Sequence, residues 1–217
     1  MKLRQTAVLC GTLHTMATVV ATYDSIAQHF SATRYKPWRG VKAFLEALAA
    51  GSTILEVGCG NGKNLGVRAA DCSVHGCDPC AGLVALAREA VPAAALTVAD
   101  GRALPYLAAS MDVVMSIAVL HHLETDADRR KFLQELMRVW NSSGPGLLTV
   151  WATEAVKPNW QAGAASGDYW VPWTLASGST LQRYYHLFAR DELLTLLNGI
   201  VPVKKVVWEC DNWYVYF

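Results

Sequence analysis

Glu56 is followed by Gly58, Gly60 and Gly62 in the run ILEVGCGNGKNL, residues 54–65. Glycines at a strand-to-helix turn let the backbone pass close to a bound ligand, because they have no side chain and tolerate positive φ. The dinucleotide fingerprint G-x-G-x-x-G would set a pyrophosphate on a helix N-terminus. Here Lys63 stands where its third glycine would be, and a carboxylate precedes the turn. A carboxylate at that place suits a cationic group, such as the ammonium end of an amino acid, better than a pyrophosphate. Asp78 ends the next apolar run, where an acid in an open α/β sheet commonly accepts both ribose hydroxyls. Asp100 and Gly101 follow a third run, where the Asp can accept from an adenine amino group. Asn61 in the turn and Ala118 after a fourth run belong to the same side.

Singly, each has a plainer reading: the glycines a tight turn, a strand-end Asp a helix N-cap. In order and in register they describe a pocket for an adenosine carrying a cationic amino-acid tail. That ligand is S-adenosyl-L-methionine.

Positioning these residues requires strands that end side by side. Apolar runs at 52–57, 73–77, 94–98, 111–117 and 147–151 alternate with helical periods at 61–68, 80–90 and 126–140, the mark of a parallel sheet covered by helices. A further helix is expected at 37–50, where Trp38, Val41, Phe44, Leu45 and Leu48 recur at helical spacing. Residues 152–181 hold Gly, Ser, Pro and three Trp without a period, and read as a long loop of the functional kind. A helix at 191–198 and a hairpin from 201–208 and 213–217 close the chain. The expected fold is α/β: a mostly parallel seven-stranded sheet, helices on both faces and an antiparallel C-terminal hairpin. Residues 23–217 form one domain, with an insertion on the substrate side at about 152–189.

The chain has 217 residues, 53% hydrophobic and 17% charged, which fits one well-buried domain rather than disorder. A net charge of +1 gives no global footprint for nucleic acid, so an RNA substrate needs a local patch or a partner. Residues 1–22 carry Lys2 and Arg4 and no acid, but Gly11, Thr12, His14 and Thr15 break the apolar run. They read as an ill-ordered leader rather than a targeting peptide, with Met16 as an alternative start. No stretch approaches the ~18 apolar residues of a membrane span. Cys77 and Cys80 form one C-x-x-C, without the second pair a structural zinc site requires. They read as reduced cysteines at a strand end and a helix start, and no metal site is expected.

Three stretches narrow the substrate: YDSIAQHFSATRYKPW (23–38), SIAVLHHLETDADRRKFLQELMRVW (116–140), and VWATE (150–154) with the later YWVPW (169–173) and RYYHLFARDEL (183–193). With the glycine turn followed by Lys63, the chain resembles the eukaryotic tRNA wobble-uridine carboxymethyl methyltransferases. That family includes the methyltransferase domain fused to an AlkB-type oxygenase in animals. The resemblance implies a Rossmann-like class I methyltransferase that uses S-adenosyl-L-methionine to esterify the carboxylate of 5-carboxymethyluridine at position 34 of tRNA, in the cytoplasm or nucleus. It places Arg34 and His121 on the substrate side as the catalytic pair, with Lys36, Trp151 and Arg183 behind them. The chain departs from the family in its Gly-Ala-Ala-Ser-Gly-Asp-Tyr-Trp stretch before Val-Pro-Trp. Family members work with a small zinc-binding activator, and the apolar strand around Leu96 is the edge with which it would pair.

Plainer roles compete with these. Arg34 could pair only with Asp24, one of His121 and His122 could be a packed histidine, and Trp170 and Trp173 could be lid packing. Arg129, Arg130 and Lys131 could be a solvated face or touch phosphates. Two further functions stay open: a methyltransferase for a small carboxylate or quinol, and a cofactor-binding subunit without chemistry.

Overall fold

In this computed structural model the described residues are 16–175 and 177–217. In chain order they form helix α1 (Met16–Thr33), helix α2 (Arg39–Glu46), strands β1 (Thr53–Val57) and β2 (Ser73–Asp78), helix α3 (Ala81–Ala90), strands β3 (Ala95–Val98) and β4 (Val113–Ile117) and helix α4 (Asp126–Val139). Then come strands β5 (Gly146–Trp151), β6 (Gln161–Ala162), β7 (Asp168–Thr174) and β8 (Thr180–His186), helix α5 (Arg190–Leu197), and strands β9 (Lys205–Glu209) and β10 (Asn212–Tyr216).

The main sheet has the order β3-β2-β1-β4-β5-β10-β9. β1 to β5 run parallel, and β10 lies antiparallel to both of its neighbours. β1, β4 and β5 are buried along nearly their whole length, as strands covered on both faces must be. One face packs against α4 and α5 through Phe132, Leu133, Leu136, Leu193 and Leu197. The other packs against α2 through Val41, Phe44 and Leu45. Thr125 caps α4, its Oγ1 accepting from the Asp128 amide at 3.1 Å, with acids in the first turn and Arg138 in the last. The chain reverses direction across the sheet between β1 and β4, and ligands of open α/β sheets bind at that switch point.

Three expectations change. The turn after β1 is not a helix over 61–68: only Leu65–Val67 forms a single 3-10 turn, because the preceding glycines hold positive φ. The stretch 152–181 is not structureless: β6, β7 and β8 build a second, antiparallel sheet. Its period is hidden because aromatic rings occupy both of its faces; Trp170 pairs with Tyr184 and Trp173 lies opposite Leu181. Helix α1 begins at Met16, inside the stretch expected to be an ill-ordered leader; residues 1–15 lie outside the described residues. It has no acid in its first turn and no base in its last, so its support is tertiary. Ile26 and Ala27 are buried, and Asp24 Oδ1 accepts from Cys80 Sγ at 2.8 Å and from the Gly82 amide at 3.0 Å, at the start of α3.

No helix among the described residues is long and apolar enough to cross a membrane. The described His, Cys, Asp and Glu residues form no cluster of three that could hold a metal ion.

Candidate active site

A cleft opens at the C-terminal ends of β1, β2, β4 and β5. α1 closes one side, and the end of β8 closes another. The glycine turn forms the floor. Gly58 has φ 78°, and a Cβ there would meet Val119 Cγ2 at 2.2 Å, so the turn and the β4 loop can approach only without a side chain. The Gly60 amide donates to Asp78 Oδ2 at 3.0 Å and the Cys80 amide donates to Oδ1 at 2.9 Å, which fixes the Asp78 carboxylate between two strand ends.

Glu56 is almost fully buried. Its Oε1 accepts from Asn64 Nδ2 at 2.6 Å, whereas Oε2 has no hydrogen-bond partner among the described residues. Burial pushes its carboxyl up to about 8, opposed by the Asn64 bond and the Lys63 charge. Burial also raises Asp78, to about 6, against the two amides that favour its ionised form. Two high-lying carboxyls, one with an orphaned oxygen, fit a ligand that brings a cation and hydrogen-bond donors.

The opposite wall is aromatic and cationic. Arg183 is only 7% exposed and forms no ion pair among the described residues; Nη1 donates to Tyr23 Oη at 3.3 Å and Nε has no partner there. Its guanidinium lies 4.7 Å from the Trp173 ring centre and 5.2 Å from that of Tyr185. Burial holds the Tyr23 phenol far above its ordinary pKa, so it stays a neutral hydrogen-bonding group. His121 stacks on Tyr185 at 4.9 Å, and its Nδ1 accepts from the Trp151 amide at 3.3 Å. That bond leaves the proton on Nε2, available for donation. Burial, then the nearby His122 and Arg183, push His121 well below its ordinary value, so it is neutral at physiological pH. His122 is down at about 4, also through burial.

Comparison with known proteins agrees with this geometry. The family described as "Methyltransferase domain" matches residues 55–148. The tRNA (carboxymethyluridine(34)-5-O)-methyltransferase of Schizosaccharomyces pombe is 35% identical over 216 residues, covering 89% of this chain and 92% of its own. The chain belongs to this family. It spans 32% and 39% of the longer relatives of that name from Arabidopsis thaliana and Xenopus tropicalis. Among solved structures, the DhpI–SAM–HEP complex aligns with a TM-score of 0.70 at 18% identity over 95% of this chain and 98% of that one, which shows the fold. A complex of the Haloferax volcanii Trm112 methyltransferase activator with a methyltransferase aligns with a TM-score of 0.55 at 24% identity, over 63% of this chain and 62% of that one. The fold is thus the Rossmann-like class I methyltransferase, and the cofactor of this family, S-adenosyl-L-methionine, matches the cleft's acids and orphaned oxygen.

Within this wobble-uridine methyltransferase the structure brings most of the expected residues to one cleft: Glu56, Gly58, Gly60, Asn61, Asp78, Ala118, Arg34, His121, Trp151 and Arg183. Asn61 turns its amide outward, donating to Ser31 Oγ at 3.0 Å and to the Arg34 carbonyl at 3.2 Å, and so clamps α1 over the glycine turn. Ala118 takes φ 60°, its amide held by the Thr149 hydroxyl and carbonyl. Gly62, Gly101 and Asp100 do not line the cleft. Arg102 engages both oxygens of Asp100, with Nη2 at 2.6 Å, and ties it to Asp128. Gly101 is needed for packing, since a Cβ there would meet Phe132 Cε2 at 2.3 Å. Lys36 is exposed and lies over Tyr35 instead of entering the cleft.

Geometry also decides what Arg34, Arg129 and Trp173 do. Arg34 does not pair with Asp24; its guanidinium faces the Phe30 and Trp173 rings. Arg129 is neither solvated nor free for phosphate, because it is buried and donates to the Leu123 and Glu124 carbonyls and to Tyr184 Oη. Trp173 is packed, its Nε1 donating to His29 Nδ1 at 3.1 Å. Tyr23, Tyr185 and Asn64 are cleft residues that the sequence did not single out, and Trp38, read there only as part of a helical period, precedes α2 and also lines the cleft. For Tyr23 and Tyr185 the available signal was their place inside the stretches that carry the family resemblance.

Proposed function

We propose that this chain transfers a methyl group to the carboxylate of 5-carboxymethyluridine at position 34 of tRNA, forming the methyl ester. The observation that carries the reading is Arg183, a buried guanidinium with no carboxylate partner among the described residues, facing a cleft that also holds a carboxyl pair. A buried charge without a counter-ion costs several kcal/mol, roughly, and a substrate carboxylate would relieve that cost. Arg's planar fork suits a carboxylate in particular.

When bound, S-adenosyl-L-methionine supplies the methyl group on a sulfonium. Glu56 would hold its ammonium end and Asp78 its ribose hydroxyls, with Gly58, Gly60 and Ala118 shaping the turns around it. On the acceptor side Arg183 and Tyr23 bind the carboxylate, and His121 donates from Nε2. Arg34 stands at the rim as a second cation, and Trp151 with Tyr185 excludes water. No residue has to act as a base, since a carboxylate of ordinary pKa near ~4 is already ionised. The rate then comes from placement of the oxygen. His121→Asn should therefore lower kcat about tenfold and leave cofactor affinity unchanged. The wild-type kcat at saturating cofactor should be flat from about pH 6 to 7.5, because His121 stays neutral there. A limb near pH ~6.5 that disappears in the variant would contradict this role.

We also propose one methyltransferase domain that takes in all of α1 and runs to residue 217, with its substrate-side insertion at 152–189, and the cytoplasm as its location, with the nucleus open. A small zinc-binding activator would pair with β3, which is an edge strand near Leu96. Arg88 Nη2 now donates to the Leu96 carbonyl at 3.0 Å, so an incoming strand must displace it. The Haloferax volcanii structure supports this only as an analogy of fold. The test is methyl transfer to tRNA carrying 5-carboxymethyluridine and to the same tRNA with plain uridine, each with and without the activator. Counts only on the first acceptor support the reading; equal counts on both, or none on either, reject it.

A further inference from the structure

The segment joining α1 to α2 reads TRYKPWR, residues 33–39. Arg34, Lys36 and Arg39 are exposed, and Tyr35 between them is 66% exposed, with Lys36 Nζ 5.4 Å from its ring centre. Lys63, from the glycine turn, lies 5.9 Å over the Trp38 ring and close enough to Arg34 for their charges to interact. Arg34, Trp38 and Lys63 line the cleft, so the strip begins at its mouth. None of these four cations makes an ion pair among the described residues, whereas Arg68, Arg102, Arg130 and Arg138 each do. Three acids adjoin the strip: Glu209 accepts from the Gly40 amide at 3.2 Å, Glu46 pairs with Lys42, and Glu56 lies close enough to Lys63 for their charges to interact without forming an ion pair. The chain as a whole carries only +1, so this run of unpaired cations is a local feature.

We propose that this strip grips the phosphodiester backbone next to the nucleotide in the cleft, with Tyr35 as a stacking surface for a neighbouring base. The inference rests on the proposed tRNA substrate and adds how the RNA is held. Cations interleaved with an exposed ring suit a single-stranded segment, in which backbone and unstacked base are offered together. An acidic protein segment would use the cations but not the ring. The strip is also held in place from the catalytic side, because Asn61 donates to the Arg34 carbonyl.

The test is binding of an anticodon stem-loop hairpin carrying 5-carboxymethyluridine, by fluorescence anisotropy over a salt series, with the full chain. Lys36→Glu/Arg39→Glu should weaken binding about tenfold or more and make the log–log salt slope shallower by about 1.4, the value for two single-strand phosphate contacts. Tyr35→Ala should weaken it about fivefold with the slope unchanged. In turnover, KM for tRNA should rise while kcat at saturating tRNA is kept, and cofactor affinity should match wild type, which shows that the variants fold. Unchanged hairpin affinity and slope overturn the proposal, as does a loss confined to an acidic protein partner. A wild-type chain that binds the hairpin with these same losses, yet methylates no tRNA, would leave the strip standing and reject the proposed reaction.

Discussion

Arg183→Met should lower kcat/KM for tRNA roughly a thousandfold while cofactor affinity stays within about twofold. Removing one partner of a buried charge pair costs about 3–5 kcal/mol, and each 1.4 kcal/mol is tenfold. Arg183 meets the conditions for the upper part of that range. It is 7% exposed, its Nε has no partner among the described residues, and its Nη1 donates to a phenol, Tyr23, that burial keeps neutral. The same facts predict an opposite effect on stability. Without substrate the guanidinium is buried without a counter-ion, stabilised by the Trp173, Tyr23 and Tyr185 rings. Methionine fills the space without a charge, so Tm of the ligand-free protein should rise by about 2 °C. Arg183→Lys keeps the charge but loses the fork, and should recover only part of the activity. Kinetics and a thermal melt on the three proteins check this. Lost activity together with lost stability would mean that Arg183 is structural.

Glu56→Gln should weaken S-adenosyl-L-methionine binding about a hundredfold at about pH 8.5, and much less at about pH 6.5. The carboxyl sits at about 8 in the free protein, so near neutrality it is mostly protonated. A bound ammonium favours the carboxylate, so binding in that range expels a proton and wild-type affinity climbs as pH rises towards about 8. Gln cannot titrate, so its affinity should be flat over the same range. Stability follows with the reverse sign. The folded-state pKa is raised from 4.5 to about 8, so between these values the unfolded chain holds fewer protons than the native one. Ligand-free stability must fall as pH rises through that window, by at most about 1.4 kcal/mol per pH unit. Asp78 acts in the same direction between 3.8 and about 6. Calorimetric titration and melts from pH ~5 to 8.5 check both. A wild-type affinity that does not depend on pH, or a free protein that gains stability between about pH 6 and 8, would contradict the role of Glu56.

The cofactor side was legible because its signals are local. Positive-φ glycines and acids at strand ends are fixed by a few neighbouring residues, and Glu56, Gly58, Gly60 and Asp78 stand where their spacing placed them. Asp100 lies outside the cleft lining for an equally local reason: Arg102, two residues on, folds back onto it. The acceptor side depends on contacts between segments far apart in the chain. Tyr23 reaches His122, Tyr185 and Arg183 across ninety-nine or more positions, which no periodicity could register. The β6–β8 sheet was read as loop because both its faces carry rings, so alternation of polar and apolar residues is lost. α1 has no acid in its first turn and no base in its last, and owes its place to Asp24, Ile26 and Ala27. Arg183 ranked behind Arg34 from the sequence; burial is the reason we propose the reverse order, since an exposed cation is screened by water and salt and a buried one is not.

Whether the acceptor is a carboxylate is decided by the chemistry of the transferred methyl group. Tritiated S-adenosyl-L-methionine is incubated with the chain, the activator and tRNA carrying 5-carboxymethyluridine, and the recovered tRNA is treated with mild base. We expect the counts to leave the tRNA as volatile methanol, the behaviour of a carboxyl methyl ester, and Arg183→Met to abolish them. Counts that stay on the tRNA through base treatment would overturn the proposed reaction, because the methyl would then sit on a base or sugar atom that an arginine carboxylate anchor does not explain.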